Sequence, residues 1–186
     1  MMPGTNKRII LLEAWAVFMD FYIQQIREAL EHATAGMSAE ALERRRGEKW
    51  SAAQILEHLS LTYSGTVKGM QKCLHAGKPI ATSATMKQII RAGVVVGLGH
   101  MPEGRKAPAA TTPRGLPSNE VLAEIWTNLD AMEDAIERCE RQFGAKVKIV
   151  NHPILGPLNA TGWRKFHWVH ARHHAKQIEE MKRSAE

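Results

Sequence analysis

The stretch Asn159-Ala160-Thr161-Gly162-Trp163-Arg164-Lys165-Phe166-His167-Trp168-Val169-His170-Ala171-Arg172-His173-His174-Ala175-Lys176-Gln177 reads as one long helix and carries four of the chain's nine histidines. It starts near Asn159 or Thr161 and extends to about Arg183, with Trp163, Phe166, His170, His174, Gln177 and Met181 along its inner face. Residues three and four apart share a helix face. His170 and His174 therefore stand one turn apart, with His167 beside them on the same stripe. Neutral imidazole is the commonest protein ligand for zinc, nickel and iron, and two at this spacing can grip one ion.

Three further segments have helical character. The first spans residues 6–33, with Ile9, Leu12, Ala16, Met19, Ile23, Ile26 and Leu30 in a three-and-four rhythm and Gly36 as its stop. The second opens at Ser51, which forms a capping box with Gln54, and continues through Ile55, Leu59, Thr62, Thr66 and Met70 to Gly77. The third follows Pro117, with Ser118 as its cap, Glu120 in the first turn, an apolar stripe of Val121, Leu122, Ile125, Leu129, Met132 and Ile136, and Gly144 at its close.

Between the second and third segments, residues 86–96 suit a short helix. Residues 97–117 contain Pro102, Pro108, Pro113 and Pro117 with several glycines, so they form an irregular connection. A connection of that length in a compact domain is usually functional or mobile. Residues 146–150 alternate like a strand but have no evident partner. They are expected to be an extended lead-in to His152-Pro153, where proline keeps the preceding residue out of helical angles. The expectation is an all-α, four-helix bundle formed by a single domain over residues 1–186, with one long crossover between helices two and three.

Composition sets the class. The chain has 186 residues, 44% hydrophobic and 24% charged, which is ordinary for a water-soluble globular protein. The net charge of +6 is compatible with nucleic-acid contact but does not establish it, and none is expected. Arg44, Arg45 and Arg46 sit among Glu40, Glu43 and Glu48 and read as a solvated helix end. Cys73 and Cys139 form no CxxC pair and read as packing residues in a reducing compartment. The basic N-terminus lacks a signal-peptide apolar region, and the apolar run at 92–98 is too short to span a bilayer. These features suit a cytoplasmic protein with no membrane contact.

His58 lies on the second helix beside Gln54, Ile55, Leu61 and Thr62. A histidine on that face needs a partner for its ring nitrogens. Taken alone, it reads as a core histidine bonded to one neighbour. Together with the i,i+4 pair, it makes three imidazoles, which leave a fourth metal position open as in catalytic zinc sites. His167 could be an alternative ligand or a supporting group, and His173 could reach a pocket rim. His152 either lines the site's mouth or braces its own loop. Gln177, one turn beyond His174, is a candidate hydrogen-bond partner. Trp50 and Trp163 read as core anchors. Glu57 points about a hundred degrees away from His58, which makes it a poor base for the same ion.

Three stretches carry a resemblance: Trp-x7-His at 50–58, His-Pro-x-x-Gly-x-Leu-x-x-x-x-Trp at 152–163, and His-x-x-His-His-x-x-Gln at 170–177. Together they resemble the DinB superfamily, and most closely a branch marked by the C-terminal motif. The resemblance implies a bundle of up-down-down-up order, often a homodimer. It implies a divalent metal held by His58, His170 and His174. Relatives include metal-dependent transferases and isomerases that use low-molecular-weight thiols such as bacillithiol, mycothiol or glutathione.

No phosphate loop, Gly-x-Ser-x-Gly elbow or HExxH motif competes with this chemistry. The chain offers no obvious nucleophile of its own, which favours a metal-bound one, so no catalytic residue is expected beyond the metal ligands. The resemblance thus implies a DinB-like protein with a zinc, nickel or iron ion, acting on a small-molecule substrate as a thiol S-transferase. The alternatives are a metal-dependent hydrolase or a non-catalytic, stress-related metal-binding bundle.

Overall fold

The computed structural model describes residues 20–102, 104 and 106–184. The first described helix, α1 (Phe21–Thr34), buries Ile23, Ile26, Leu30 and Ala33. Its start differs from the expectation of one helix from residue 6. Asp20 leaves helical angles (ψ 139°) and its carboxylate accepts the Tyr22 N–H at 2.8 Å, capping the helix there. Ile9, Leu12, Ala16 and Met19 lie outside the described residues. A short α2 (Ala39–Glu43) follows, capped by Ser38, and Arg44, Arg45 and Arg46 leave it into solvent.

Helix α3 (Ala52–Ala76) begins with the Ser51/Gln54 capping box and stops at Gly77, whose φ of 64° is left-handed. The connection that follows holds α4 (Met86–Ala92), a π-turn at Gly93–Gly97 and a 3₁₀ turn at Ala109–Thr111. The other described residues of 97–117 are irregular, as the prolines there require. Helix α5 (Ser118–Phe143) has Pro117 rather than Ser118 at its cap position. Ser118 is already helical, and its N–H is taken at 2.8 Å by the Glu43 carboxylate, which replaces the expected local cap.

The lead-in to the last helix is also a correction. Val150–His152 forms β1, paired antiparallel with β2 (Gly156–Leu158) in a two-stranded hairpin. The partner was hidden because a three-residue strand containing Gly156 and Pro157 reads as a turn. Helix α6 (Ala160–Arg183) then starts where Asn159 accepts the Gly162 N–H at 3.0 Å.

The described structure is thus mostly helical with one small sheet. Helix α3 packs along α5, and α1 along α6. Ile26, Leu30, Leu56, Leu59, Ile125, Leu129, Met132 and Ile178 share one core. Full burial of each such side chain contributes about 1.5–3 kcal/mol before chain entropy is counted. Cys73 and Cys139 are buried and unpaired by any disulfide, in keeping with their packing role. No described helix is long and apolar enough to cross a membrane.

Arg164 is the main polar joint. Its guanidinium, 6% exposed, holds Glu133 of α5 at 2.7–3.0 Å and Glu140 at 2.6 Å. Asp20, the α1 cap, lies 3.7 Å away. One side chain of α6 therefore ties that helix to α5 and to the start of α1.

Candidate metal centre

Helix α6 brings His170 and His174 to one stripe, and the first half of α3 places His58 opposite them. His58 Nε2 lies 3.2 Å from His170 Nε2, and His174 Nε2 lies 3.0 Å from it. One ring nitrogen from each residue falls within 4.8 Å of the other two, and all three residues are buried. Tetrahedral zinc with bonds of 2.0–2.1 Å separates its ligand nitrogens by about 3.3 Å. The two separations at His170 are within a few tenths of an ångström of that value, and the third pair lies within 4.8 Å. A buried His58/His170/His174 group could hold a metal ion.

The outer nitrogens decide which inner ones carry lone pairs. His58 Nδ1 lies 2.7 Å from the Thr111 carbonyl, which only accepts, so Nδ1 carries the hydrogen. His174 Nδ1 lies 2.8 Å from Gln177 Oε1 and donates likewise. Both Nε2 atoms therefore face the centre as acceptors. His170 Nδ1 is buried without a hydrogen-bond partner, and its ring stacks on Phe166 at 5.5 Å. Acceptors this close repel one another unless a proton or a cation lies between them. Protonation is opposed by the surroundings. Burial holds His174 at about 3, with His58 adding to the effect, and burial also drives His170 and His58 downward. Two neutral rings with lone pairs fixed inward, beside a third whose Nε2 presents its own once the ring proton sits on Nδ1, are a donor set that a divalent ion takes.

The remaining predicted residues divide. Gln177 supports His174, and its amide nitrogen lies 3.2 Å from His173 Nε2, so His173 joins the outer edge of the network. His167 is not part of the cluster. Its Nε2 meets Thr66 Oγ1 at 2.9 Å, and its ring stacks on Trp163 and abuts Tyr63. His152 accepts the backbone N–H groups of Ile154 and Leu155 at 3.1 Å each, so it braces its own hairpin rather than lining a mouth. Trp50 packs against His58 at 5.2 Å. Trp163 is a core anchor, 4% exposed.

A family model described as a protein of unknown function, DUF1569, matches residues 16–181. The chain belongs to the DUF1569 family. No curated protein and no solved structure matches it. The DUF1569 match takes in all three clustered histidines, Gln177, and the strap formed by residues 97–117, but the family's description assigns no activity.

Two groups at this site escaped the sequence. Glu57, 2% exposed, accepts the N–H groups of Arg114, Gly115 and Leu116. Thr111 supplies the carbonyl to His58. At the other end of the strap, Arg172 donates to Gly99 O at 2.6 Å and Lys165 to Gly97 O at 3.2 Å. Nothing in the local sequence marks these contacts, because each joins segments far apart in the chain. The strap covers the cluster at Thr111. A groove of about 430 Å³ between α4, β2 and the start of α6 contains none of the clustered histidines.

The buried histidines set an acid limit on stability. Burial pushes His167 down to about 3 and His152 to about 4, from the ordinary 6.5. Below 6.5 the unfolded chain binds these protons while the folded chain refuses them. Stability is therefore complete above 6.5 and falls as pH drops toward about 3. Each such histidine adds a loss of ~1.4 kcal/mol per pH unit at its steepest. Urea titrations of metal-free protein should show this decline between about pH 6 and pH 4, and a flat profile there rules the account out.

Proposed function

We propose that the chain is a DinB-like four-helix-bundle metalloprotein that transfers a low-molecular-weight thiol to a small electrophile at His58, His170 and His174. The observation that supports this most is the convergence of three Nε2 atoms, two of them fixed as acceptors by Thr111 and Gln177. A zinc, nickel or iron ion held there supplies Lewis acidity, which lowers the proton affinity of a thiol or water that joins it.

The chain's own residues then have defined parts. The three imidazoles are neutral and supply lone pairs without carrying charge into the core. Thr111 and Gln177 keep those lone pairs aimed inward. Trp50 and Phe166 wall the rings with apolar surface and limit water. Glu57 is committed to backbone amides, so it does not act as a base. In the transfer, the thiol proton passes to solvent, the sulfur forms a new C–S bond, and the electrophile's leaving group departs with its bonding electrons. The same arrangement would serve a hydrolase with water in place of the thiol.

The near-complete burial of the three rings favours a second reading, a non-catalytic bundle whose ion stabilises or senses. The two separate in one experiment. Purified protein is analysed for zinc, nickel and iron, then incubated with glutathione or bacillithiol and a haloaromatic or epoxide electrophile. Thioether product above the metal-stripped control supports transfer. Bound metal with no product for any thiol leaves the non-catalytic reading. Absence of stoichiometric metal sinks both. The resemblance also supports a homodimer, and light scattering giving the mass of one chain counts against it.

A further inference from the structure

We propose that Glu57 is a positioning residue of the metal centre: by gripping the backbone at 114–116 it holds the Thr111 carbonyl against His58 Nδ1–H and so orients that ligand ring. The inference rests on the metal reading above. Glu57 and His58 are consecutive on α3, so their side chains diverge by about 100°. One turn of helix thus reaches two points of the same strap.

At the first point the carboxylate accepts Arg114 N–H at 2.7 Å, Gly115 N–H at 2.9 Å and Leu116 N–H at 3.2 Å. Three successive amides converge on one anion only where the backbone curls into a concave nest. Gly115 supplies the curl, at φ +86°, in the left-handed region that disfavours any side chain. At the second point His58 Nδ1–H donates to Thr111 O at 2.7 Å. The intervening link is short. Three residues reach at most about 10 Å, Pro113 has a fixed φ, and Thr112 is extended at φ −73°, ψ 126°. Fixing residue 114 therefore leaves Thr111 little room to leave the imidazole.

Two variants test this from opposite sides of the contact: Glu57→Gln on the helix and Gly115→Ala on the strap. Zinc affinity is measured by competition with a chromophoric chelator. Exchange of the His58 Nδ1 proton is followed by ¹⁵N-edited NMR in both zinc-loaded and metal-free protein. Both variants should bind zinc roughly 10-fold more weakly, the lower bound for loss of support behind a ligand. Both should also lose protection of His58 Nδ1–H while His174 Nδ1–H, held by Gln177, keeps its own. Ile26→Val, a conservative core change on α1, serves as the control for general loosening and should leave both readouts alone. Zinc affinity within about twofold of wild type and an unchanged His58 proton in both variants overturn the inference. Should wild-type protein take up none of zinc, nickel and iron, the metal reading falls. The metal-free exchange data then decide alone, and an unprotected His58 proton in the variants upholds the role of Glu57.

Discussion

Protein carrying His170→Ala is expected to retain no stoichiometric metal, while its metal-free form stays about as stable as wild type. His170 Nε2 is the shared neighbour of the other two ligand nitrogens, at 3.2 and 3.0 Å. Removing it leaves two imidazoles on different helices. Outer-shell changes weaken metal sites by about 10–100-fold, so losing a ligand should exceed the upper figure. Stability without metal behaves differently. The substitution opens a cavity beside Phe166, which is unfavourable. It also removes a ring whose Nδ1 is buried without a partner and whose Nε2 can donate to only one of its two neighbouring acceptors. These terms oppose, and the net change should be about 1 kcal/mol in either direction.

Metal therefore separates the two proteins. Free ion at about 1,000 times its dissociation constant stabilises the folded state by ~4 kcal/mol, roughly 10 °C in melting temperature for a chain of this size. Wild type should show that rise, and the variant should melt at the same temperature with and without ion. His167→Ala is the informative contrast. It removes a core ring bonded to Thr66, so it should lower stability yet keep the metal-dependent rise. A variant at His170 that still shows the rise would mean that the ion binds elsewhere.

The sequence made the long helices legible because caps and period agree. Ser51 and Gln54 announce α3, Gly77 ends it, and Asn159 opens α6 on an uninterrupted inner stripe. The three histidines were legible for the same reason: period places two on one face, and His58 stands out as a polar residue on another. What failed depended on distant partners. Asp20 interrupts the first apolar rhythm through its own carboxylate, and the rhythm does not register a cap. Ser118 looked like a cap because the Glu43 carboxylate, 75 residues away, was invisible as the group that takes its N–H. The hairpin's strands are only three residues each, too short for period two to stand out. Glu57 was read correctly as turned away from His58. Its actual target, a nest built around Gly115, exists only once the strap is folded over α3.

Arg164 was silent in the sequence too, because a charged residue between Trp163 and Lys165 reads as solvated. Its replacement should carry the largest cost to the fold itself. Arg164→Met keeps the side chain's bulk but leaves Glu133, Glu140 and Asp20 facing one another without their cation. Burial already pushes the Glu133 carboxyl up, against the pull of the guanidinium. Breaking a buried ion pair from one side typically costs about 3–5 kcal/mol, and partial exposure of the two glutamates places this case near the lower figure. At 2–4 °C per kcal/mol, melting should fall by roughly 10 °C. Arg164→Lys should lie between, since an ammonium cannot span two carboxylates with a planar fork. The cause is tested by removing the orphaned charge as well. Glu133→Leu added to Arg164→Met should recover more than half of the loss, because the penalty comes from a stranded carboxylate rather than from a missing attraction. Were the double variant as unstable as the single one, Arg164 would act by packing α6 against α5, and the ion cluster would contribute little. Zinc affinity separates this role from the site in either case. Arg164 lies outside the histidine cluster, so the folded variant should bind the ion as wild type does.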